Sequence, residues 1–172
     1  LVSAPAPVIF DVGANIGSAT IFFKKLFRNA KIYGFEPHHD TYLEAKRRTG
    51  RLEHVFLHNL AIGETEEERT LFVNTVASTN SFLKMNPASE WTSEQFMVKP
   101  SETQEVQLTT LDVFCAQENI NRIDLLKLDV QGFEPQALRG AWDLLSSQSI
   151  RAIKIEVMPG DFYESSTSFY EI

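Results

Sequence analysis

Four short strings carry residue types and spacings that chemistry can use. The first is Asp11-Val12-Gly13-Ala14-Asn15-Ile16-Gly17. Gly13 and Gly17 allow a tight turn and a close backbone approach to a ligand. A helix starting there presents unpaired N–H groups and the positive end of its dipole, a setting for a carboxylate or a phosphate. The Gly-x-x-x-Gly spacing lacks the middle glycine of the dinucleotide fingerprint, and no Gly-Lys-Ser/Thr follows. That argues against a pyrophosphate, and more strongly against a P-loop. An amino-acid carboxylate fits better, as in the methionine moiety of S-adenosylmethionine. A tight turn that binds nothing is the alternative.

Glu36 comes second, ending the run Ile32 to Phe35 and followed by Pro37. A carboxylate is acceptor-only and bidentate, so at a strand end it suits both hydroxyls of a ribose. A solvated glutamate before a proline turn is the other reading. The third string is His58-Asn59-Leu60-Ala61-Ile62-Gly63. Asn59 has a donor and an acceptor for a base edge, or else belongs to an ordinary polar turn. The fourth is Lys127-Leu128-Asp129-Val130-Gln131-Gly132-Phe133-Glu134. Asp129 and Glu134 could act as general base, orient an acceptor hydroxyl or hold a metal. Helix capping by Asp129 and a dipole contact by Glu134 would explain them without chemistry. Glu156 is a further acid for the same pocket. Three carboxylates suit a hard divalent cation. No histidine is clearly placed beside them, however, and His38, His39, His54 and His58 have no zinc-site spacing, so no metal is assigned.

The elements that must position these strings alternate. Val8 to Val12 reads as a buried parallel strand. Ser18 to Arg28 reads as a helix with Ile21, Phe22, Leu26 and Phe27 as its apolar stripe. Lys31 to Phe35 is a strand, His39 to Thr49 a helix ended by Gly50, and Val55 to His58 a strand. Arg69 to Asn74 and Val106 to Thr109 are further strands around an irregular excursion, Ser78 to Lys99. Thr110 caps a helix running through Glu118. Asp124 to Val130 is a strand. The helix after it carries Pro135 in its first turn and a stripe of Ala137, Leu138, Ala141, Trp142 and Leu145. Arg151 to Val157 is the last clear strand, and Pro159 to Ile172 is ambiguous. This alternation implies an α/β domain with a mostly parallel sheet and helices on both faces. Ligands then bind outside the C-terminal strand edge, where strand order reverses. All four strings fall just after strands.

The chain has 172 residues, 43% hydrophobic, which suits a single domain over 1–172. A net charge of −7 opposes nucleic-acid binding. The small basic cluster Lys24, Lys25 and Arg28 reads as a solvated helix face. Cys115 has no internal partner for a disulfide and reads as core packing. No apolar run approaches a membrane span, and no signal pattern follows Leu1. A cytoplasmic location, no membrane partner and a segment cut from a longer protein are the expectations. Oligomeric state is not legible.

Taken in order, the strings resemble the FkbM-type methyltransferase family. The matching blocks are Phe10 to Gly17, Phe35-Glu36-Pro37, Asn59 to Gly63, Thr110-Leu111-Asp112, Lys127 to Glu134 and Ile155-Glu156. The resemblance implies a class I methyltransferase Rossmann-like fold and S-adenosylmethionine as donor. It also implies O-methylation of a small-molecule acceptor, such as a sugar, a polyketide or another natural product. By that resemblance Asp11, Gly13, Asn15 and Gly17 line the methionine end, Glu36 takes the ribose, and Asn59 with Ala61 borders the adenine. Gln131 stands where the family often has glutamate. The family fold closes with an antiparallel strand pair that this chain, ending at Ile172, is expected to lack.

Methyl transfer needs alignment of acceptor, methyl and sulfur, and an alcohol acceptor must lose its proton. Asp129 is the first candidate for that step, with Glu134 and Glu156 behind it. Asn80, Trp91 and Tyr163 are candidates for shaping the acceptor site. A nicotinamide-dependent oxidoreductase and a catalytically silent binding module are the competing readings.

Overall fold

Strands with apolar residues on both faces must be covered on both sides, and this chain does so with helices drawn from its two halves. In the computed structural model, residues 4–88, 100–157 and 162–164 are described. The elements run β1 (Val8–Val12), α1 (Ser18–Leu26), β2 (Lys31–Phe35), α2 (His39–Thr49), β3 (Val55–His58), β4 (Ala61–Ile62) and β5 (Glu67–Asn74). They continue β6 (Pro100–Thr109), α3 (Leu111–Gln117), β7 (Leu125–Leu128), α4 (Glu134–Arg139), α5 (Trp142–Ser146) and β8 (Ile153–Ile155).

Five strands form a wholly parallel sheet in the order β3-β2-β1-β7-β8. Side chains alternate across it. Ile9 and Ile32 face Phe23 of α1. Phe10, Val12, Phe35, Leu126 and Leu128 face Phe114, Ala137 and Leu144 on the α3–α5 side. The helices therefore cover both faces. Cys115 lies buried on α3, where burial pushes its thiol up to about 12.

A second sheet was not separable in the sequence. Its order is β4-β6-β5, with β5 and β6 antiparallel. Ala61, Leu71, Val73, Val106 and Leu108 pack there with Phe82 and Phe133. β6 starts at Pro100, well before the expected Val106.

Several local expectations need correction. On α1, Phe22 and Leu26 are 60% and 62% exposed, while Phe23 is buried. Lys24 is buried too, and its ammonium donates to the Ala30 carbonyl at 2.7 Å, so it anchors the α1–β2 turn and is no part of a solvated face. The helix stops at Leu26, short of Arg28. The single helix expected after β7 is two helices, broken at Gly140. A Cβ there would lie 1.9 Å from the Gly63 carbonyl oxygen. Asp112 accepts from the Asp143 and Leu144 amides at 2.9 and 3.0 Å and so starts α5 afresh. The restart turns Trp142 outward, to 68% exposure. β7 spans only Leu125–Leu128, because Asp124 accepts from Val8 N and the chain turns after Asp129. β8 likewise covers only Ile153–Ile155 of the expected strand. Trp91 lies outside the described residues, as does nearly all of Pro159 to Ile172, where the strand-pair expectation falls. Among the described residues no helix is long and apolar enough to cross a membrane.

Candidate active site

β1 and β7 lie side by side, with Val12 opposite Leu128 at their exits. The chain moves from β1 to β2 on one side and places β7 on the other, so strand order reverses here. The turn after β1 is shaped by Gly13, with φ +75°. Its amide and that of Ala14 both donate to the Phe35 carbonyl, at 3.0 and 2.9 Å. A Cβ on Gly13 would lie 1.8 Å from the Asp129 carbonyl oxygen, so only glycine fits. Asn15, also at positive φ, donates its amide to Glu36 Oε2 at 2.8 Å. His38 N donates to Glu36 Oε1 at 3.0 Å. Burial pushes the Glu36 carboxyl up to about 7 despite those two amides. Each of its oxygens keeps acceptor capacity toward the cavity.

Lys127 is the residue that sequence reasoning passed over. Its buried ammonium pairs with Asp11 Oδ1 at 2.9 Å and Asp129 Oδ2 at 3.3 Å, and donates to Gly13 O at 2.7 Å. Three donors thus tie the two strand exits and the turn together. Burial opposes its charge, but Asp11 and Asp129 outweigh it and hold the pKa above the usual lysine value. The available signal was a lone charge inside the apolar run Leu125 to Leu128.

Asp129 faces Glu156, which follows β8. Gln131 Nε2 donates to Asp129 Oδ1 at 2.9 Å and to Glu156 Oε2 at 3.2 Å. Burial pushes Asp129 up, but hydrogen bonding with Glu156, the Lys127 charge and Gln131 bring it below the usual range. Glu156 is pushed up to about 7 by its hydrogen bond with Asp129, then by burial and by the Asp129 charge. The two carboxyls are hydrogen-bonded to each other, so their protonation is linked.

These groups line a cavity of about 350 Å³, within the size range of small-molecule sites. One wall holds Gly13, Asn15, Glu36, Asp129 and Glu156; the other holds Ala61, Leu71, Asn80, Ser81 and Phe82. Asn80 Oδ1 accepts from Asn74 N at 2.9 Å, while its buried Nδ2 has no partner among the described residues. Tyr163 is buried behind this wall, and its hydroxyl donates to the Thr79 carbonyl at 2.9 Å. No sequence signal marked Leu71 or Phe82.

Four of the expected site residues do not line this cavity. Asp11 lies beneath its floor, accepting from Thr20 Oγ1 at 2.6 Å and pairing with Lys127. Gly17 is the N-cap of α1, and a Cβ there would meet the Thr49 side chain at 3.1 Å, so it serves helix packing. Asn59 spends both amide donors on the Glu36 and Pro37 carbonyls, at 2.9 and 2.8 Å, with Oδ1 3.0 Å from His39 Nδ1; it braces the turn after β2. Glu134 accepts from Val130 N at 2.8 Å and Gly132 N at 2.9 Å, closing the turn before α4. Among the described residues no group of three or more His, Cys, Asp or Glu is gathered to hold a metal.

Comparison with known proteins agrees with this architecture. Residues 11–172 match the family described as the methyltransferase FkbM domain. The chain is 27% identical to 2-O-methyltransferase NoeI of Sinorhizobium fredii, covering 95% of this chain and 68% of that protein. It is 29% identical to Methyltransferase 1 of Beauveria bassiana, covering 95% of this chain and 72% of the relative. The crystal structure of methyltransferase FkbM from Methylobacillus flagellatus superposes with a TM-score of 0.53 at 15% identity, over 83% of this chain. This chain spans 31% of that crystallised chain, and the likeness there is one of fold.

Proposed function

Because this chain belongs to the methyltransferase FkbM family, we propose that it moves a methyl group from S-adenosylmethionine to a hydroxyl of a sugar or another small natural product. The observation that carries the reading is the meeting, on one cavity, of Gly13, Asn15 and Glu36 with the Asp129–Glu156 pair. One relative is named a 2-O-methyltransferase, which supports an oxygen acceptor. The residues fit the donor. Gly13 lines the cavity in a turn packed too tightly against the Asp129 carbonyl for any side chain, and Glu36 keeps acceptor capacity for ribose hydroxyls. Ser18 and Ala19 open α1 without a side-chain cap and border an adjoining groove, a helix N-terminus that suits a carboxylate. Ala61, on the same cavity, would border the adenine.

When bound, S-adenosylmethionine supplies a methyl group activated by a positively charged sulfur. The chain's own work is to align the acceptor and take its proton. Asp129, fixed by Lys127 and Gln131, orients the acceptor hydroxyl. The Asp129–Glu156 pair receives the hydroxyl proton, and Glu156, held up to about 7 by its hydrogen bond with Asp129, is the member that retains it. Family membership disfavours the nicotinamide-dependent alternative.

Calorimetric titration with S-adenosylhomocysteine and with NAD tests the reading. Binding of the former alone is expected, weakened by roughly 100-fold or more in Gly13→Val, because the turn must move off the Asp129 carbonyl. Glu36→Gln, which keeps an acceptor for only one of the Asn15 and His38 amides, should weaken binding more moderately. Binding of NAD in preference to S-adenosylhomocysteine would overturn the proposal.

A further inference from the structure

Gln131 has an unusual backbone and a side chain with contacts on both ends. Its φ is +56°, in the left-handed region that residues with a Cβ seldom adopt. Ser81 Oγ donates to its carbonyl at 2.7 Å and holds that conformation from the opposite wall. The side-chain amide is asymmetric, and its surroundings decide which way it points. Its NH2 end meets Asp129 and Glu156, and its oxygen accepts from the Tyr163 hydroxyl at 3.2 Å. The proton between the two carboxyls is taken up by their mutual hydrogen bond, so they offer only acceptor oxygens to Gln131 and its NH2 faces them.

Tyr163 is itself fixed. It is fully buried, it bridges Met85, and Asn86 N and Glu164 N donate to the Phe162 and Lys84 carbonyls at 2.9 and 2.8 Å. Its single hydroxyl proton is shared between Thr79 O and Gln131 Oε1. The charged neighbours do not duplicate the link. Lys127 contacts Asp129 and Asp11 and, like Lys154, acts on Glu156 only through its charge, and Glu134 is committed to the turn amides. Among the described residues, Gln131 is the donor that hydrogen-bonds to both carboxyls.

We propose that Gln131, aimed by the Tyr163 hydroxyl, is the positioning residue that holds Asp129 and Glu156 together as one proton-sharing unit and ties that unit to the Thr79–Ser81 wall. The inference rests on the assignment of this pair to acceptor chemistry. Because Gln131 is neutral and donates to both carboxyls, it favours their ionised forms. A glutamate in its place would remove the donor and add a third negative charge.

The test is a carbon-13 NMR titration of the aspartate and glutamate side-chain carboxyls in wild type, Gln131→Glu, Gln131→Met and Tyr163→Phe, with no cofactor present. The upper step of the pair, near 7 in wild type, should rise by at least roughly one pH unit in Gln131→Glu. Gln131→Met should raise it less, and Tyr163→Phe least, since the amide then keeps its place but loses its aim. An upper step that coincides with wild type in folded Gln131→Met and Tyr163→Phe would overturn the inference, even if Gln131→Glu fails to fold. Calorimetry of wild type with S-adenosylhomocysteine separates the two levels. Loss of that binding sinks the functional reading, while the carboxyl titrations still judge Gln131.

Discussion

The two walls of the cavity are built differently. The wall at the exits of β1, β2 and β7 is committed. Glu36 already accepts from two amides, Lys127 makes three contacts, and Gly13 touches the next strand's backbone. The wall from β5 and the segment after it offers Leu71 and Phe82 as apolar surface and the unpartnered Asn80 Nδ2. It is joined to the segment after β7 by Ser81 Oγ on the Gln131 carbonyl and by the Arg69 guanidinium 4.9 Å over the Phe133 ring. The difference matches two tasks. On the proposed reading, Gly13, Asn15 and Glu36 suit a donor common to a family, which calls for preorganised groups on rigid strand ends, whereas Leu71, Asn80 and Phe82 suit an acceptor that differs between members, since such side chains can change without disturbing the parallel sheet.

The sharpest way to break this contrast is Asp129→Asn, where the two walls meet. Turnover with an accepted hydroxyl compound should fall by roughly 10²- to 10⁴-fold, with a much smaller change in S-adenosylhomocysteine affinity. Full turnover would remove Asp129 from the chemistry. Lys127→Met comes next. It leaves Asp11 buried without its cation, and urea unfolding should show a loss of about 3–5 kcal/mol. A loss below about 1 kcal/mol would mean the first wall does not depend on that hub.

Glu36 sharpens the comparison through pH. Its folded carboxyl titrates near 7 against 4.5 for the free group, so the folded state holds the proton over that window. Stability should therefore be greatest below about 4.5 from this group and should decline by roughly 3 kcal/mol as pH rises through 7. Glu36→Gln should flatten that slope, and an unchanged slope would place its origin elsewhere. The smallest effect belongs to the second wall. Ser81→Ala removes the donor to Gln131 O and the acceptor for Leu83 N, and should cost about 1–2 kcal/mol in thermal or urea unfolding. A cost equal to that of Lys127→Met would erase the distinction between the walls.

Much of the scaffold was readable in advance. The apolar runs ending in Asp11, Glu36 and Asp129 marked strand exits, because buried parallel strands are short continuous apolar segments with chemistry at their ends. Gly13, Asn15, Glu36, Ala61, Asp129 and Glu156 all reach the cavity. Other positions depart from expectation in two ways. Phe22 and Leu26 satisfied helical spacing, yet α1 turned Phe23 and Lys24 to the sheet. Asn59 and Glu134 had the right chemistry, but nearby backbone amides and carbonyls claimed them. Side-chain type cannot show which unpaired backbone group will lie within 3 Å.

The sequence by itself determined the alternation of strands and helices, the strand-end positions of the chemical groups and the family, because hydrophobic period and glycine placement act locally along the chain. Only the tertiary structure decided that Lys127 is the hub, that Gln131 joins two carboxyls, and that Leu71, Ser81 and Phe82 face them across a cavity. Those relations depend on strand order and on a second sheet folded over the first. Both are set by packing between residues far apart in the chain, which no local pattern encodes.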